Sequence, residues 1–348
     1  MDVLVVNAGS SSLKLRLLND NDKLVWSGES LEDLPAADAV GHRIVHGGVD
    51  FTGPVRIDDD VVARLSALVD LAPLHQPKSL EALAAVTRAL PDVPPVACFD
   101  TAFHAQMPQA ASTYAIPKQW RNRWHLKKYG FHGLSHAYAS RRARELGAGP
   151  RVVTCHLGAG ASLCAVADGR SVDTTMGFTP LDGLVMATRS GQIDPGLVLW
   201  LQEHAGTPPS ELAATLEHRS GLLGLAGTPD MRELLERDDD EAKVALDVYL
   251  HRLRAGIAAM TASLGGVDAV VFTGGVGENA PRVRADACAS LGYLGLVVDP
   301  AMNEADMSGD SPQTCPDRQI GERVYVVEAR EDLEIARQVR AVLTTSSG

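Results

Sequence analysis

Cysteine is scarce in this sequence, and no two cysteines form a C-x-x-C pair. Five occur among 348 residues: Cys98, Cys155, Cys164, Cys288 and Cys315. An odd, scattered set argues against a disulfide framework, which needs an even number at regular spacing, and against a structural zinc site, which needs clustered ligands.

Long apolar runs and an excess of positive charge are also missing. No apolar stretch approaches the roughly 20 residues that cross a bilayer. The first residues lack the basic segment of a secretory signal. The net charge is −12, whereas a nucleic-acid surface needs clustered Lys and Arg. These absences predict a cytoplasmic protein without a membrane or nucleic-acid partner.

The composition that remains is that of a globular protein with ample core material. Hydrophobic residues make up 45% and charged residues 22% of the chain, which is typical of globular domains. The length favours two domains. Apolar strands alternate with helical patterns in two similar halves, which predicts an α/β architecture with a central cleft and a boundary near residue 147.

Two hairpin-like segments suggest an internal duplication. Moving the first segment along the chain by 149 positions (156 − 7) places Asn7 on His156 and Gly9 on Gly158. Both segments read as an apolar strand, a polar residue, a Gly-rich turn and a second apolar strand. Because hairpins are common, chance is the alternative, but the shared order of features favours duplication.

The two turns offer groups that suit phosphate. Ser10, Ser12 and the backbone N–H groups of the first turn surround one point, and Lys14 adds a positive charge. In the second turn, Gly158 and Gly160 allow close approach of a ligand to the backbone. A Walker loop is absent. We interpret the turns as two loops that face one polyanion from opposite domains, the alternative being plain surface hairpins.

A third Gly-rich turn, residues 272–280, raises the question of a dinucleotide site. Its G-x-G-x-x-A pattern follows a strand, and Asp299 closes a further predicted strand, 294–299. Pro281, however, interrupts the expected helix start, and the motif falls late in the chain. The pattern therefore favours a turn that supports a nucleotide base and ribose over an NAD site.

Arginine and histidine stand where predicted elements begin or end. His132 and His136 are four residues apart, but the glutamate of H-E-x-x-H is missing and Gly133 disfavours a helix that would carry both, so zinc is disfavoured. Arg43 lies between apolar residues and glycines. We interpret it as a buried ligand for an anion, because arginine binds carboxylate or phosphate with two parallel hydrogen bonds.

Several motifs together resemble the acetate kinase family, which belongs to the superfamily of sugar kinases, heat-shock ATPases and actin. In family order they are VNAGSSSLK, GHRIVHGG, LAPLHQP, FDTAFH, YGFHGLSH, CHLGAGAS, PLDGLVMATRSGQIDP and TGGVGEN. The resemblance implies a two-domain actin-like (ASKHA) α/β fold with duplicated mixed-sheet cores and an interdomain cleft. Its domains are an N-terminal one over 1–147, on which a helix over 331–345 packs back, and a C-terminal nucleotide-binding one over 148–330.

The resemblance also implies an activity. It is the reversible, Mg²⁺-dependent transfer of the ATP γ-phosphoryl to acetate by direct in-line attack, giving acetyl phosphate and ADP, with Mn²⁺ as an alternative ion. It further implies a homodimer. Carried over by position, Arg43 and Arg189 are ligands of the acetate carboxylate and of the transferring phosphoryl. His132 is a transition-state stabiliser, and Asp100 is the active-site acid.

Further positions follow from the same resemblance. Asn7 and Glu331 match positions near Mg²⁺. The pocket for the acetate methyl comprises Val45, Leu74, Phe131 and Pro180, beside Arg43. The nucleotide-binding positions are Ser10, Ser12, Lys14, His156, Leu157, Gly158, Ala159, Gly160, Asp230, Met231, Arg232, Gly275, Val276, Gly277, Glu278 and Asn279.

The chemistry of the acceptor bears on the role of Asp100. Acetic acid, with a pKa near ~4, is ionised at neutral pH, so this nucleophile needs no proton abstraction. The obstacle is repulsion between two anions, which arginines and a divalent ion reduce. We therefore interpret Asp100 as orienting an arginine or a metal-bound water rather than as a general base.

Three departures from the family pattern leave alternatives open. Ala159 replaces the Asn of HLGNG, the segment between Lys14 and Arg43 is short, and EAREDLEIAR stands where PTNEEL is usual.

One alternative is a propionate or other short-chain acyl kinase, because one methylene changes binding by only ~1–3 kcal/mol. A sugar kinase is the second alternative, but such a kinase would carry a D-x-G-x-T pattern in the first hairpin, where this chain has Asn7. A nucleotide-binding relative without catalysis is the third alternative, prompted by Ala159.

Overall fold

Two six-stranded mixed sheets form the framework of the protein. The computed structural model describes residues 1–8, 13–69, 76–304 and 317–345. The chain divides into two compact units, each of which contains one sheet. The first comprises Met1–Gln106, Phe131–Tyr138 and Arg330–Gly348, and the second comprises Met107–Gly130 and Ala139–Ala329. The fold class predicted from the sequence, α/β with duplicated mixed-sheet cores, is confirmed.

The first sheet has the strand order β3-β2-β1-β4-β6-β5. Its strands are β1 Val3–Ala8, β2 Leu13–Leu18, β3 Leu24–Gly28, β4 Ala39–Ile44, β5 Val55–Arg56 and β6 Pro95–Phe99. Strand β1 pairs antiparallel with β2 and parallel with β4, which in turn pairs parallel with β6. Three parallel strands, β1, β4 and β6, therefore end at the same edge of this sheet.

The second sheet repeats this plan, in the order β11-β12-β10-β7-β8-β9. Its strands are β7 Arg151–Leu157, β8 Ala161–Ala167, β9 Arg170–Thr174, β10 Ala269–Thr273, β11 Arg318–Gln319 and β12 Val324–Val326. Strands β7, β10 and β12 correspond to β1, β4 and β6, and the parallel and antiparallel pairings agree throughout. This agreement supports the duplication that the two hairpins indicate.

The two hairpins differ in the length of their turns. Ala8 pairs with Leu13 in the first hairpin, whereas Leu157 pairs with Ala161 in the second. The second turn is therefore one residue shorter, so a fixed shift of 149 positions aligns the first strands of the two hairpins but not their second strands.

The helices lie between and after these strands. They are α1 Asp59–Ser66, α2 Gln76–Ala89, α3 Gln109–Ser112, α4 Lys118–Trp124, α5 Gly133–Glu145, α6 Pro195–His204, α7 Pro209–His218, α8 Gly221–Ala226, α9 Met231–Glu236, α10 Asp240–Leu264, α11 Gly274–Asn279, α12 Pro281–Ala289, α13 Pro300–Glu304 and α14 Glu331–Thr345. Among the helices of the described part of the chain, none is both long and apolar enough to cross a bilayer.

The last helix, α14, packs on the first sheet. Ile335 and Val339, four residues apart and hence on one face of the helix, lie in one core cluster with Val3 and Val96. Gly41 of β4 permits this approach, because a Cβ there would lie 2.5 Å from Cγ2 of Ile335. This contact positions α14 against the sheet, and Glu331 is the first residue of the helix.

Two predictions near the third Gly-rich turn have different outcomes. Pro281 does separate two helices, since α11 ends at Asn279 and α12 begins at Pro281, but residues 274–279 form the short helix α11 rather than the predicted turn. The strand predicted over 294–299 is wrong. Gly295 adopts a φ of 76°, which ends the extended run, and Val298 forms only an isolated bridge with Gly321. Asp299 therefore closes no strand.

A buried histidine on β4 makes the stability of the first unit depend on pH. The Nε2 atom of His42 has no hydrogen-bond partner among the described residues, and burial lowers the pKa of His42 from 6.5 to about 3. As the pH falls below about 6.5, His42 binds a proton in the unfolded chain but stays neutral in the folded chain. We therefore expect the free energy of unfolding to fall between pH 6.5 and about pH 3.

Urea unfolding at several pH values would check this expectation in wild type and in His42→Gln, which does not titrate. Carboxylates and His46 titrate in both proteins, so the difference in slope isolates His42. Because one pKa unit corresponds to about 1.4 kcal/mol, wild type should lose several kcal/mol more than the variant on acidification. Parallel curves would show that His42 plays no such part.

Candidate active site

Polar side chains stand at one edge of the first sheet, where its parallel strands end. Asn7 and Arg43 are the penultimate residues of β1 and β4, and Asp100 directly follows β6. The Asp100 backbone N–H donates to the Ile44 carbonyl at 3.0 Å, which fixes the end of β6 beside the end of β4. The sheet thus brings these three predicted residues together.

Arg43 is the centre of this group. Its Nε lies 3.1 Å from both oxygens of Asp100, and its Nη2 donates to Oδ2 of Asp100 at 2.7 Å. Its Nη1 donates to Oδ1 of Asn7 at 3.0 Å and lies 3.9 Å from Oε2 of Glu331. The fork of hydrogen bonds to Asp100 fixes the plane of the guanidinium group.

Glu331 joins the group from α14. The amide nitrogen Nδ2 of Asn7 donates to Oε2 of Glu331 at 3.0 Å, so Asn7 links the carboxylate of Glu331 to the guanidinium of Arg43. The approach of α14 to the sheet at Gly41 therefore sets the position of a proposed metal ligand.

The charges of this group depend on one another. Burial works against the charged form of Arg43, but Asp100 and Glu331 raise its pKa above the ordinary value. Burial raises the pKa of Asp100, and the charge and hydrogen bonds of Arg43 oppose that shift. Because the guanidinium cannot lose its proton and holds Asp100 at two positions, we treat the pair as ionised at neutral pH.

His132 is tied to Asp100 through the backbone. The N–H of Gly133 donates to the Asp100 carbonyl at 2.9 Å, and a Cβ at Gly133 would lie 2.2 Å from that oxygen. His132 itself has a φ of 56°, a left-handed conformation that is uncommon for non-glycine residues. Helix α5 begins at Gly133, so the helix contains His136 but not His132.

The other histidines near His132 form ring contacts rather than a cluster with metal-ligand geometry. The ring centroids of His132 and His136 are 6.4 Å apart, and those of His136 and His104 are 5.8 Å apart. Nε2 of His104 lies 3.0 Å from the Phe131 carbonyl. In the described ranges, no group of three or more His, Cys, Asp or Glu side chains could hold a metal ion.

Two predicted residues of the methyl pocket also belong to the first unit. Val45 and Phe131 are buried there, and the ring of Phe131 meets that of His46 edge-on at 5.6 Å. Pro180 is half-buried in the second unit. The predictions for Leu74, Ser10 and Ser12 fall outside the described residues.

Arg189, in the second unit, also has a carboxylate partner. Its Nε donates to Oε2 of Glu217 at 3.1 Å, and its Nη1 lies 3.9 Å from the sulfur of Met186. Both charged side chains are largely buried, with exposures of 18% and 14%. Glu217 was missed by the sequence analysis, because no spacing or motif connects helix α7 with Arg189.

The second sheet assembles two of the predicted nucleotide loops. Strands β7 and β10 are parallel neighbours, and Thr273 pairs with His156. Gly274 has a φ of 78°, and a Cβ there would lie 2.8 Å from the Leu157 carbonyl. Only glycine allows this approach. It places the start of α11, and hence residues 275–279, against the end of β7 where residues 158–160 form their turn.

The remaining nucleotide positions are more exposed. Asp230 caps helix α9 by accepting from the Arg232 N–H at 2.8 Å, and the Arg232 side chain pairs with Asp230 at 3.1 Å. Met231 is buried. Lys14 pairs with Asn7 across the first hairpin, and its side chain is exposed. Ala159 is exposed at the tip of the second turn.

Comparison with known proteins shows the same relationship at three levels. Residues 26–337 match the model of the acetokinase family. The acetate kinase of Streptomyces avermitilis is 47% identical over 321 residues, covering 90% of this chain and 79% of that protein. The chain belongs to the acetokinase family. Membership confirms the predicted enzyme class, an acetate kinase with ATP and ADP as co-substrates, and overrules the sugar-kinase alternative.

Two solved structures show that this acetokinase chain is also similar to known acyl kinases in its fold. The crystal structure of Porphyromonas gingivalis acetate kinase superposes with a TM-score of 0.88 at 33% identity, covering 98% of this chain and 99% of that one. A propionate kinase from Francisella tularensis gives the same TM-score, identity and coverage. The fold alone therefore does not separate the two acyl substrates.

The acetokinase family typically uses a divalent metal. The oxygen atoms of Asn7 and Glu331, at the edge of the first sheet, fit such an ion. Asn7 has an amide oxygen, which here accepts from Arg43, and Glu331 has a carboxylate, one oxygen of which accepts from Asn7. Mg²⁺ keeps several waters and needs only one or two carboxylates when substrate phosphates complete its coordination. Two protein oxygens therefore suit an ion that arrives with a nucleotide.

The Glu217 contact leads to a prediction for this acetokinase. Glu217→Ala should lower kcat by about 10- to 100-fold, because a hydrogen bond to a charged group contributes roughly 1.5–3 kcal/mol and Arg189 would lose its fixed orientation. Glu217→Gln, which keeps an acceptor oxygen, should lose less. Steady-state kinetics would measure both effects.

Glu211→Ala is the matched control, because Glu211 lies on the same helix but is exposed, and its ion pair with Arg219 is long, at 3.9 Å. Equal kinetics for the Glu211 and Glu217 variants would contradict a role of Glu217 in positioning Arg189.

Proposed function

We propose that this acetokinase transfers the γ-phosphoryl group of ATP to acetate, reversibly, to give acetyl phosphate and ADP. The observation that carries the proposal is the largely buried arginine Arg43, held in a fixed plane by Asp100 and Asn7 in a chain of this family. A fixed guanidinium suits a planar carboxylate, and a charged acceptor needs no base.

The contacts of Asp100 support a positioning role rather than that of a general base. Both of its oxygens already accept hydrogen bonds from Arg43. A general base needs an oxygen within hydrogen-bond reach of the proton it removes, and ionised acetate has no such proton. We infer that Asp100 orients Arg43 toward the substrates.

We propose that Arg43 and Arg189 act on the same two substrates. An acetate oxygen attacks the γ-phosphorus in line as the bond to the β-phosphate oxygen breaks, and the bonding electrons leave with ADP. Two guanidinium groups reduce the repulsion between the anions and stabilise the charge that spreads over the equatorial oxygens. His132 donates a hydrogen bond to one of those oxygens.

Mg²⁺, or Mn²⁺ in its place, would be held by Asn7 and Glu331 in this proposal. When bound, the ion supplies positive charge to the phosphate oxygens of the nucleotide. The link from Asn7 to both Arg43 and Glu331 means that one amide orients a protein cation and a metal-binding carboxylate.

The nucleotide and the methyl group are assigned to the remaining predicted positions. We propose that residues 156–160, 230–232 and 275–279 bind the nucleotide together with Ser10, Ser12 and Lys14. The acetate methyl is assigned to the apolar side chains of Val45, Leu74, Phe131 and Pro180.

A hydroxamate trap tests the proposal directly. Incubation with ATP, Mg²⁺, acetate and hydroxylamine should accumulate acetohydroxamate in proportion to ADP. ADP formation without hydroxamate would indicate a nucleotide hydrolase, and no turnover at all would favour the nucleotide-binding relative without catalysis. Arg43→Ala under the same conditions controls for contaminating kinase.

Propionate is the second candidate acceptor, because the Francisella propionate kinase matches this chain as well as an acetate kinase does. Values of kcat/KM for acetate, propionate and butyrate would decide between them. A preference for propionate over acetate would replace the first proposal while leaving the reaction type intact.

We propose a homodimer, as the family resemblance implies. Helix α6 supports an interface, because it buries none of its residues within the described chain and exposes Leu197, Leu199 and Trp200. Sedimentation velocity should give a mass near twice 36.9 kDa, and Trp200→Glu should shift it toward the monomer. The cytoplasmic location predicted from the sequence stays a prediction.

A further inference from the structure

Arg284 of helix α12 has the largest fully buried side chain in the part of the chain that the structure describes, with 1% exposure. Moving a guanidinium out of water is costly unless hydrogen bonds replace its hydration. The contacts of Arg284 therefore show what the protein gains from burying it.

The donors of Arg284 reach two neighbouring segments. Nη1 donates to the carbonyls of Gly277 and Glu278, at 2.9 and 2.7 Å. Nε and Nη2 donate to the side-chain and backbone oxygens of Asn303, at 2.7 and 2.8 Å. Asn303 in turn donates to the Pro281 carbonyl at 2.9 Å. One side chain thus ties α11, α12 and α13 together.

The carbonyls of Gly277 and Glu278 belong to the last turn of α11, where helical carbonyls lack partners within the helix. Helix α11 is short and is interrupted at Pro281, so its own hydrogen bonds hold it weakly. Arg284 supplies the missing donors and places a positive charge at the negative end of the turn.

The same turn is also held through the side chain of Glu278. Its Oε1 accepts from the Ala329 N–H at 2.9 Å. Burial raises the pKa of Glu278, and the N–H groups of Ala329 and Gly274 oppose that shift. Glu278 is therefore fixed at its backbone by Arg284 and at its carboxylate by Ala329, which leaves the turn little freedom.

We propose that Arg284 is a positioning residue for the nucleotide, because it fixes the shape of the short helix α11, whose residues 275–279 receive the adenosine part of ATP. This inference rests on the nucleotide assignment in the proposed function. Well-packed apolar residues often stabilise a protein as much as a buried charge does. Stability alone therefore does not account for Arg284, whereas a turn that must keep one shape does.

The test compares Arg284→Met and Arg284→Lys with Arg254→Met. Arg254 is the matched control, since it donates to the Asp286 carbonyl on the same helix α12, at 2.8 and 3.0 Å, away from the turn. Calorimetric ADP affinity, the KM values for ATP and acetate, and the melting temperature would be measured for each variant.

Arg284→Met should weaken ADP binding and raise KM for ATP by about 10- to 100-fold, the range that corresponds to losing hydrogen bonds from a charged donor. KM for acetate should stay within about twofold. Arg284→Lys should fall between wild type and Arg284→Met. Arg254→Met should lower the melting temperature without changing ADP affinity.

Equal effects of Arg284→Met and Arg254→Met on ADP binding, or equal changes in KM for both substrates, would overturn the inference. If both Arg284 variants fail to fold, Asn303→Ala decides, because it removes one acceptor and leaves the arginine in place. Wild-type ADP affinity in that variant would overturn the inference. Failure of wild type in the hydroxamate trap would instead overturn the proposed function.

Discussion

Arg43→Ala and Arg189→Ala should each lower kcat by on the order of 10³-fold, the lower end of what an arginine contributes in other phosphoryl transfers. Each arginine is held by a carboxylate, Asp100 for Arg43 and Glu217 for Arg189. Such fixed cations stabilise transition-state charge without reorganising. In the proposed reaction, removing either one would restore the repulsion between acetate and the γ-phosphate.

Steady-state kinetics in both directions would measure this loss, with acetate and ATP as substrates and then with acetyl phosphate and ADP. Arg43→Lys keeps the charge but not the paired hydrogen bonds, so it should recover only part of the activity. Arg64→Ala and Arg219→Ala are controls in the two units, since both arginines are exposed and their ion pairs are long, at 3.6 Å for Arg64 and 3.9 Å for Arg219. Near-normal turnover in Arg43→Ala or Arg189→Ala would refute that residue's assignment.

The edge of the first sheet shows how far sequence reasoning reaches. Asn7 and Asp100 each follow an apolar run, and Arg43 lies on a short predicted strand that closes on Gly47 and Gly48. Parallel strands end at a common edge, so the proximity of the three residues was predictable. The link through Asn7 to Glu331 was not predictable from pattern alone. It depends on α14, more than 300 residues away in sequence, packing against Gly41.

The wrongly predicted strand over 294–299 and the unpredicted burial of Arg284 both have local physical causes. Residues 294–299 carry a strand-like apolar run, but the left-handed conformation of Gly295 breaks it. Arg282 and Arg284 are two residues apart and point to different sides of α12, one exposed beside Asp286 and the other buried. Nothing in the sequence distinguishes them, because the burial of Arg284 depends on Asn303 of another helix.

Asp100→Ala should destabilise the first unit by up to about 3–5 kcal/mol, because it leaves the largely buried guanidinium of Arg43 with only the more distant carboxylate of Glu331, at 3.9 Å. Urea unfolding would measure the loss. The double variant Arg43→Leu/Asp100→Leu should recover most of it, since apolar replacement of a whole buried ion pair is often neutral or stabilising. A double variant no more stable than Asp100→Ala would contradict this account.

Asp100→Asn separates the two catalytic interpretations of the same residue. If Asp100 orients Arg43, the variant should lose kcat while the pH dependence of kcat keeps its shape, because no proton passes through the residue. If Asp100 were a general base, a limb of the pH profile would disappear with it. The contacts of both carboxylate oxygens with Arg43 favour the first outcome, since both oxygens already accept from a fixed guanidinium, whose charge opposes the rise that burial causes in the pKa of Asp100.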